Sequence, residues 1–285
     1  MIARALPLLL LCLLLFAGGC VTTGTAIDMA KSTIKAAPTL AKSLEDFTPE
    51  QEYYLGRTVA ATMLGQYRPL RAPAANEYLN LLGQSLARHS AVPDTFGGYR
   101  FLLLDSPEIN AFAAPGGFIL VTKGLVLCAA NEDELAAVLA HEIAHVQLRH
   151  GIGSIKRARR TESLMILASI AASATPAQSQ INTLNNLFGD VVNDIVQTMA
   201  VSGYSRSAEL QADQTALAIL RGAGYSEAGL ASMLRTMEAR LTPGSGFGKT
   251  HPPPAARLKA LKASGDVPEN PVRQARFQAA FVGLR

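Results

Sequence analysis

The stretch Asn131-Glu132-Asp133-Glu134-Leu135-Ala136-Ala137-Val138-Leu139-Ala140-His141-Glu142-Ile143-Ala144-His145-Val146 decides how this chain is read. Asn131 and Glu134 have the spacing of a capping box, and Leu135, Val138, Leu139, Ile143 and Val146 form a helical apolar stripe that ends at Gly151. On that helix His141 and His145 lie one turn apart on one face, so both imidazoles can reach a single zinc ion while Glu142 flanks its open side. In the hydrolytic scheme the ion lowers the pKa of its bound water toward about 7 and polarises the scissile carbonyl; the glutamate takes the proton and passes it to the leaving amine. With 5 His among 285 residues, such a motif arises by chance roughly 0.4% of the time. The competing structural reading is two histidines that cap or pack on an apolar helix.

A catalytic zinc needs three protein ligands and one open position. The metzincin pattern fails, because Leu148 and Gly151 stand where it requires Gly and His. His150, five residues after His145, is expected to point away from the ligand face and to meet the last carbonyls of its own helix. The third ligand is therefore sought as a carboxylate on a second helix. Glu209 and Asp213 lie one turn apart on a segment whose other face carries Leu210, Leu217 and Leu220; Asp190 and Asp194 have the same spacing. In the first pair, Glu209 could ligate while Asp213 orients a histidine through its free ring nitrogen. Periodicity alone leaves the two pairs even.

The rest of the chain supplies context. Hydrophobic residues make up 49% and charged residues 17%, which excludes a disordered polar chain, and a formal charge of only +4 without any Trp sets nucleic acid aside. Arg4, the apolar run Leu6 to Ala17, then Gly18, Gly19 and Cys20 form a signal-peptide layout over residues 1–19, too short to span a bilayer of about 30 Å. Phe16-Ala17-Gly18-Gly19-Cys20 resembles a bacterial lipobox, with Cys20 lipidated; the alternative is an ordinary cleaved signal. Val21 after Cys20, rather than Asp, favours the outer membrane by the same resemblance. Cys128 would then remain alone in the folded part, so no internal disulfide is expected, and it reads as a buried small hydrophobe.

Residues 20–47 read as a tether, residues 48–265 as the folded domain and residues 266–285 as a C-terminal tail. Thr48-Pro49-Glu50-Gln51 starts a helix toward Leu64, and others are expected over Ala74–His89, Ser205–Arg221 and Ser226–Leu241. Residues 152–200 read as helical, broken at Pro176, with the apolar part Leu164 to Thr175 too short for a membrane span. Tyr99–Leu104 and Phe118–Thr122 are strand-like and predict a small antiparallel sheet of two or three strands. Phe118–Thr122 is expected either as an exposed edge that an extended polypeptide could join or as an ordinary core hairpin.

From Phe47 to Leu261 the chain resembles the zinc metallopeptidase family of the CAAX prenyl protease and HtpX, in the periplasmic lipoprotein branch resembling the beta-barrel assembly-enhancing protease. Beyond His141 to His145, the likeness rests on Asn110-Ala111-Phe112-Ala113 with Pro115-Gly116-Gly117, on Tyr204-Ser205-Arg206 leading to Glu209 and Asp213, and on Thr250-His251-Pro252-Pro253. It implies an α+β, mainly helical, gluzincin-like fold. It also implies one zinc held by His141, His145 and Glu209, with Glu142 as base and Asp213 in support. His251 would stabilise the oxyanion or act as a reversible fourth ligand, or else be a solvated loop residue. Arg257 would assist with the oxyanion or lie on the surface at the start of a helix. The implied activity is endoproteolysis of misfolded or stalled outer-membrane proteins in the periplasm, on an anchor at Cys20, with the outer-membrane assembly machinery as an implied partner. The rival reading is a lipoprotein chaperone or assembly factor with a structural or self-closed zinc site.

Overall fold

The computed structural model describes residues 47–154, 189–241, 246–261 and 266–284. The signal segment, the tether, Cys20 and the apolar stretch Leu164 to Thr175 lie outside the described residues. Helix α1 (Pro49–Gln66) opens with the expected capping box: Thr48 accepts from Gln51 N, and the Gln51 side chain accepts from Thr48 N. Helix α2 (Pro73–Ala87) follows, then strands β1 (Arg100–Leu104), β2 (Ala111–Ala114) and β3 (Phe118–Thr122), and a short helix α3 (Lys123–Cys128).

The sheet is mixed rather than antiparallel. Its order is β1-β3-β2, with β1 parallel and β2 antiparallel to β3. The loop after β1 carries the chain across the sheet before β2, so β1 and β3 run the same way. The turn Pro115–Gly117, with Gly116 at φ 71° and Gly117 at φ 95°, folds β2 back onto β3. Consequently β3 is the central strand, paired on both sides, and the expected exposed edge at Phe118–Thr122 is absent. The outer edge of β1 is covered by two asparagines one turn apart on α2: Asn76 Oδ1 accepts from Leu103 N, and Asn80 accepts from Phe101 N and donates to Phe101 O.

Strand alternation separates two cores. Phe101, Leu103, Ala111, Ala113, Ile119 and Val121 face one core, which holds α4 (Glu132–Gln147), α5 (Arg206–Gly222) and α6 (Ala228–Arg240). Leu104, Phe112, Ala114 and Leu120 face the other, with Leu55, Val59 and Met63 of α1 and Val191, Val192, Ile195 and Val196. Residues 132–146 of α4 are all buried, so the helix is enclosed on every side and its polar residues must be answered from within the protein. Cys128 is buried in the same core.

After α6 come a single helical turn, Phe247–Thr250, and helices α7 (Pro254–Leu261) and α8 (Pro271–Phe281). Residues 266–284 are therefore not a free tail. Phe277, Phe281 and Leu284 enter the main core, while Arg273 and Arg276 bond Asp133 and Glu132 at the start of α4. No helix among the described residues is long and apolar enough to cross a membrane.

Candidate metal centre

The centre forms where α4 crosses the start of α5. Asn131 caps α4 by accepting from Glu134 N, and the Glu134 side chain accepts from Ala130 N. Ser205 caps α5 by accepting from Ala208 N, which places Glu209 in its first turn. The close approach of the two helices is permitted by alanines: Ala136, Ala137, Ala140 and Ala144 on α4 and Ala212 and Ala216 on α5 are fully enclosed in one cluster.

His141 Nε2 and His145 Nε2 lie 3.1 Å apart, and the Glu209 carboxylate stands 3.6 Å from the first and 3.5 Å from the second. His251 joins them, so that ligand atoms of His141, His145, Glu209 and His251 all lie within 4.8 Å of one another. All four side chains are buried, and both Glu209 oxygens and Glu142 Oε1 have no hydrogen-bond partner among the described residues. Two imidazoles whose Nε2 atoms face each other and a carboxylate without a donor among the described residues, gathered in one buried place, suit a tetrahedral N/O metal such as zinc. Asp190 and Asp194, by contrast, are exposed.

Electrostatics match this geometry. Burial pushes Glu209 up to about 9 and Glu142 up to about 8, with Arg257 opposing in each case. Burial, reinforced by the Arg257 guanidinium, lowers His141 to about 4; His145 and His251 are held well below the usual imidazole range, also by burial first. Neutral rings keep their lone pairs for coordination, and a carboxylate stripped of water gains most from a cation placed beside it.

The surrounding groups fix orientation. Asp213 Oδ1 accepts from His141 Nδ1 at 2.9 Å. Arg257, buried rather than at the surface, binds Asp213 through Nε at 3.0 Å and through Nη2. Burial alone would raise the Asp213 pKa, but the Arg257 charge and the His141 bond hold it well below the usual carboxylate range. Arg257 Nη1 has no hydrogen-bond partner among the described residues. His251 is likewise no solvated loop residue: its ring stacks on Phe247 at 3.7 Å and 4°, and Thr250 Oγ1 lies 3.0 Å from its Nδ1. This leaves Nε2 3.9 Å from both Glu142 Oε1 and Glu209 Oε1.

Three participants escape sequence reasoning. Tyr204 lies flat on His145, ring centroids 4.5 Å apart at 21°, with its buried hydroxyl unpartnered. Phe247 supports His251 from the single helical turn Phe247–Thr250, too short to show periodicity. His150 does not point away: α4 ends at Gln147, Arg149 adopts φ 55°, and the helical stretch that restarts at residue 150 sets His150 Nδ1 2.9 Å from His145 Nδ1.

Comparison with known proteins places the chain among metallopeptidases. The chain is 26% identical over 214 residues to the beta-barrel assembly-enhancing protease of Escherichia coli (strain K12), covering 73% of this chain and 42% of the relative. It is 30% identical over 195 residues to the metalloprotease LoiP of the same organism, covering 67% of this chain and 72% of the relative. It is 28% identical over 163 residues to the mitochondrial metalloendopeptidase OMA1 of Schizosaccharomyces pombe, covering 56% of this chain and 44% of the relative. The chain thus spans less than half the length of the beta-barrel assembly-enhancing proteases it matches. The model of peptidase family M48 matches residues 73–264, more than half of the chain and all of the centre described above. The protein therefore belongs to peptidase family M48, a family of zinc metallopeptidases.

Proposed function

We propose that this protein is a zinc-dependent endopeptidase of the Gram-negative cell envelope, with zinc held by His141, His145 and Glu209. The observation that carries the reading is the Glu209 carboxylate, buried without a donor among the described residues and facing two ring nitrogens. A bound zinc ion supplies a Lewis acid and lowers the pKa of a coordinated water toward about 7. The chain supplies the rest. Glu142 Oε1, buried and unpartnered on the same face, accepts the water proton and returns it to the leaving amine. Asp213 keeps the His141 proton on Nδ1, so Nε2 faces the metal. Arg257 spends Nε and Nη2 on Asp213 and retains Nη1 for a developing oxyanion.

His251 has two readings that its position supports. Its Nε2 can donate to the oxyanion, or it can complete a four-ligand set and shut the site, which is how a chaperone or assembly factor with a self-closed centre would use it. The envelope location follows from the signal-like segment before Cys20 and from relatives named as beta-barrel assembly-enhancing proteases. On this reading Cys20 carries lipid, the anchor holds the enzyme at the outer membrane, and the substrates are misfolded or stalled outer-membrane proteins. The outer-membrane assembly machinery is the proposed partner.

The test is zinc content and casein cleavage measured on the same preparations of wild type and Glu142→Gln. About one zinc per chain in both, with cleavage reduced about 10²–10⁴-fold in the variant, is expected. Equal cleavage removes Glu142 from the chemistry, and zinc-loaded wild type without cleavage favours the self-closed reading. An intact mass showing unmodified Cys20 would remove the anchor.

A further inference from the structure

We propose that His150 is a positioning residue of the metal centre: its Nδ1 accepts the Nδ1–H of His145, and Gln211 in turn orients His150. This inference rests on the zinc reading above and concerns only how this chain holds one of its ligands.

The argument is one of proton bookkeeping. A neutral imidazole has one N–H and one acceptor nitrogen. If His145 presents Nε2 to the point it shares with His141 Nε2, its proton sits on Nδ1, and the group facing that atom is His150 Nδ1 at 2.9 Å. His150 must then accept there and carry its own proton on Nε2, which faces Gln211 Oε1 at 3.4 Å. The sequence of donors runs from His145 through His150 to Gln211, with no atom asked to donate and accept at once.

The backbone is shaped for this contact. A continued α4 would carry His150 round to another face. Arg149 instead takes the left-handed conformation at φ 55°, which is unfavourable for a non-glycine residue. It is held there by an ion pair with Glu52 and by Nη2 donating to Phe47 O at 2.8 Å, both from the start of α1. Tyr204 closes the other side of the His145 ring. The two imidazole ligands are thus oriented differently: His141 by an ionised carboxylate locked to Arg257, His145 by a neutral histidine locked to an amide.

The test is the zinc affinity of the purified full chain, measured by chelator competition. His150→Ala is expected to weaken zinc about 10–100-fold, the usual cost of removing a group that orients a ligating histidine. His150→Asn places an amide oxygen where Nδ1 stands and is expected within about threefold of wild type; His150→Gln places it at the Nε2 position and is expected to resemble alanine. Gln211→Ala is expected to weaken zinc in the wild-type background and to have no further effect beside His150→Ala. Asparagine binding as poorly as alanine, or alanine within twofold of wild type, overturns the proposal. If His150→Ala does not fold, asparagine against glutamine decides it. Wild type without zinc refutes the underlying reading itself, which separates that failure from this one.

Discussion

At its first turn α4 buries three successive carboxylates, and two turns later it buries Glu142 opposite Glu209. At the first turn each acid is answered. Glu132 accepts from Tyr78 at 2.6 Å, Tyr225 at 2.7 Å and Arg276; Asp133 from Ser226 N and Arg273; Glu134 from Ser232 and Ala130 N. At the second location Glu142 Oε1 and both Glu209 oxygens have no donor among the described residues. One helix therefore shows what buried charge looks like when it holds a fold together and what it looks like when it waits for a cation. The first arrangement ties the C-terminal helix α8 to α4. The second stabilises nothing until something positive arrives.

The comparison breaks most sharply at Glu209. Glu209→Gln should lose tightly bound zinc and with it casein cleavage, yet in chelator it should unfold in urea at least as late as wild type. The amide replaces a carboxylate that burial already pushes up to about 9. A Glu209→Gln protein clearly less stable than wild type in chelator would mean that this carboxylate, too, has a structural partner.

Glu132 should behave in the opposite way. Glu132→Ala strands two tyrosine hydroxyls and a guanidinium, and should cost about 3 kcal/mol in urea denaturation whether or not zinc is present. The pH dependence has a definite sign. Burial alone would raise the Glu132 pKa, but bonds from Arg276, Tyr78 and Tyr225 leave it below the usual value. Its contribution is therefore present above the unfolded-state pKa of about 4.3 and is lost as pH falls through the folded value. The stability gap between wild type and Glu132→Gln should narrow from pH 6 to pH 3, and a gap that widens on acidification contradicts the assignment.

The smallest effect is expected at the other pair of acids with one-turn spacing. Asp190→Asn and Asp194→Asn alter exposed residues and should leave zinc content and cleavage unchanged, with stability within about 0.5 kcal/mol of wild type.

Legibility follows the range of the interactions involved. The caps Thr48, Asn131 and Ser205 and the one-turn spacings are local, so α1, α4, α5 and the pairing of His141 with His145 can be read from sequence. β2 is missed because Ala111, Ala113 and Ala114 have little strand preference; they are small because the strand is packed among helices. Sheet order is a tertiary property, which is why β1 and β3 read as antiparallel partners although they pair in parallel, while the core hairpin at Phe118–Thr122 does form, between β2 and β3. Residues 266–285 look like a tail although Asn270 and Pro271 are sound start signals, because Phe277 and Phe281 form too short a stripe to announce a core. His150 is misplaced for a single reason, the left-handed Arg149, a conformation that an arginine gives no cause to expect. Arg257 is buried by Asp213, a partner 44 residues away in sequence.

The most direct test is anomalous diffraction at the zinc edge from crystals of the purified protein. The account predicts one peak about 2.0–2.2 Å from His141 Nε2, His145 Nε2 and a Glu209 carboxylate oxygen. A zinc-replete crystal whose peak lies elsewhere, or whose Glu209 is turned away from the two rings with no substitute ligand, would contradict it.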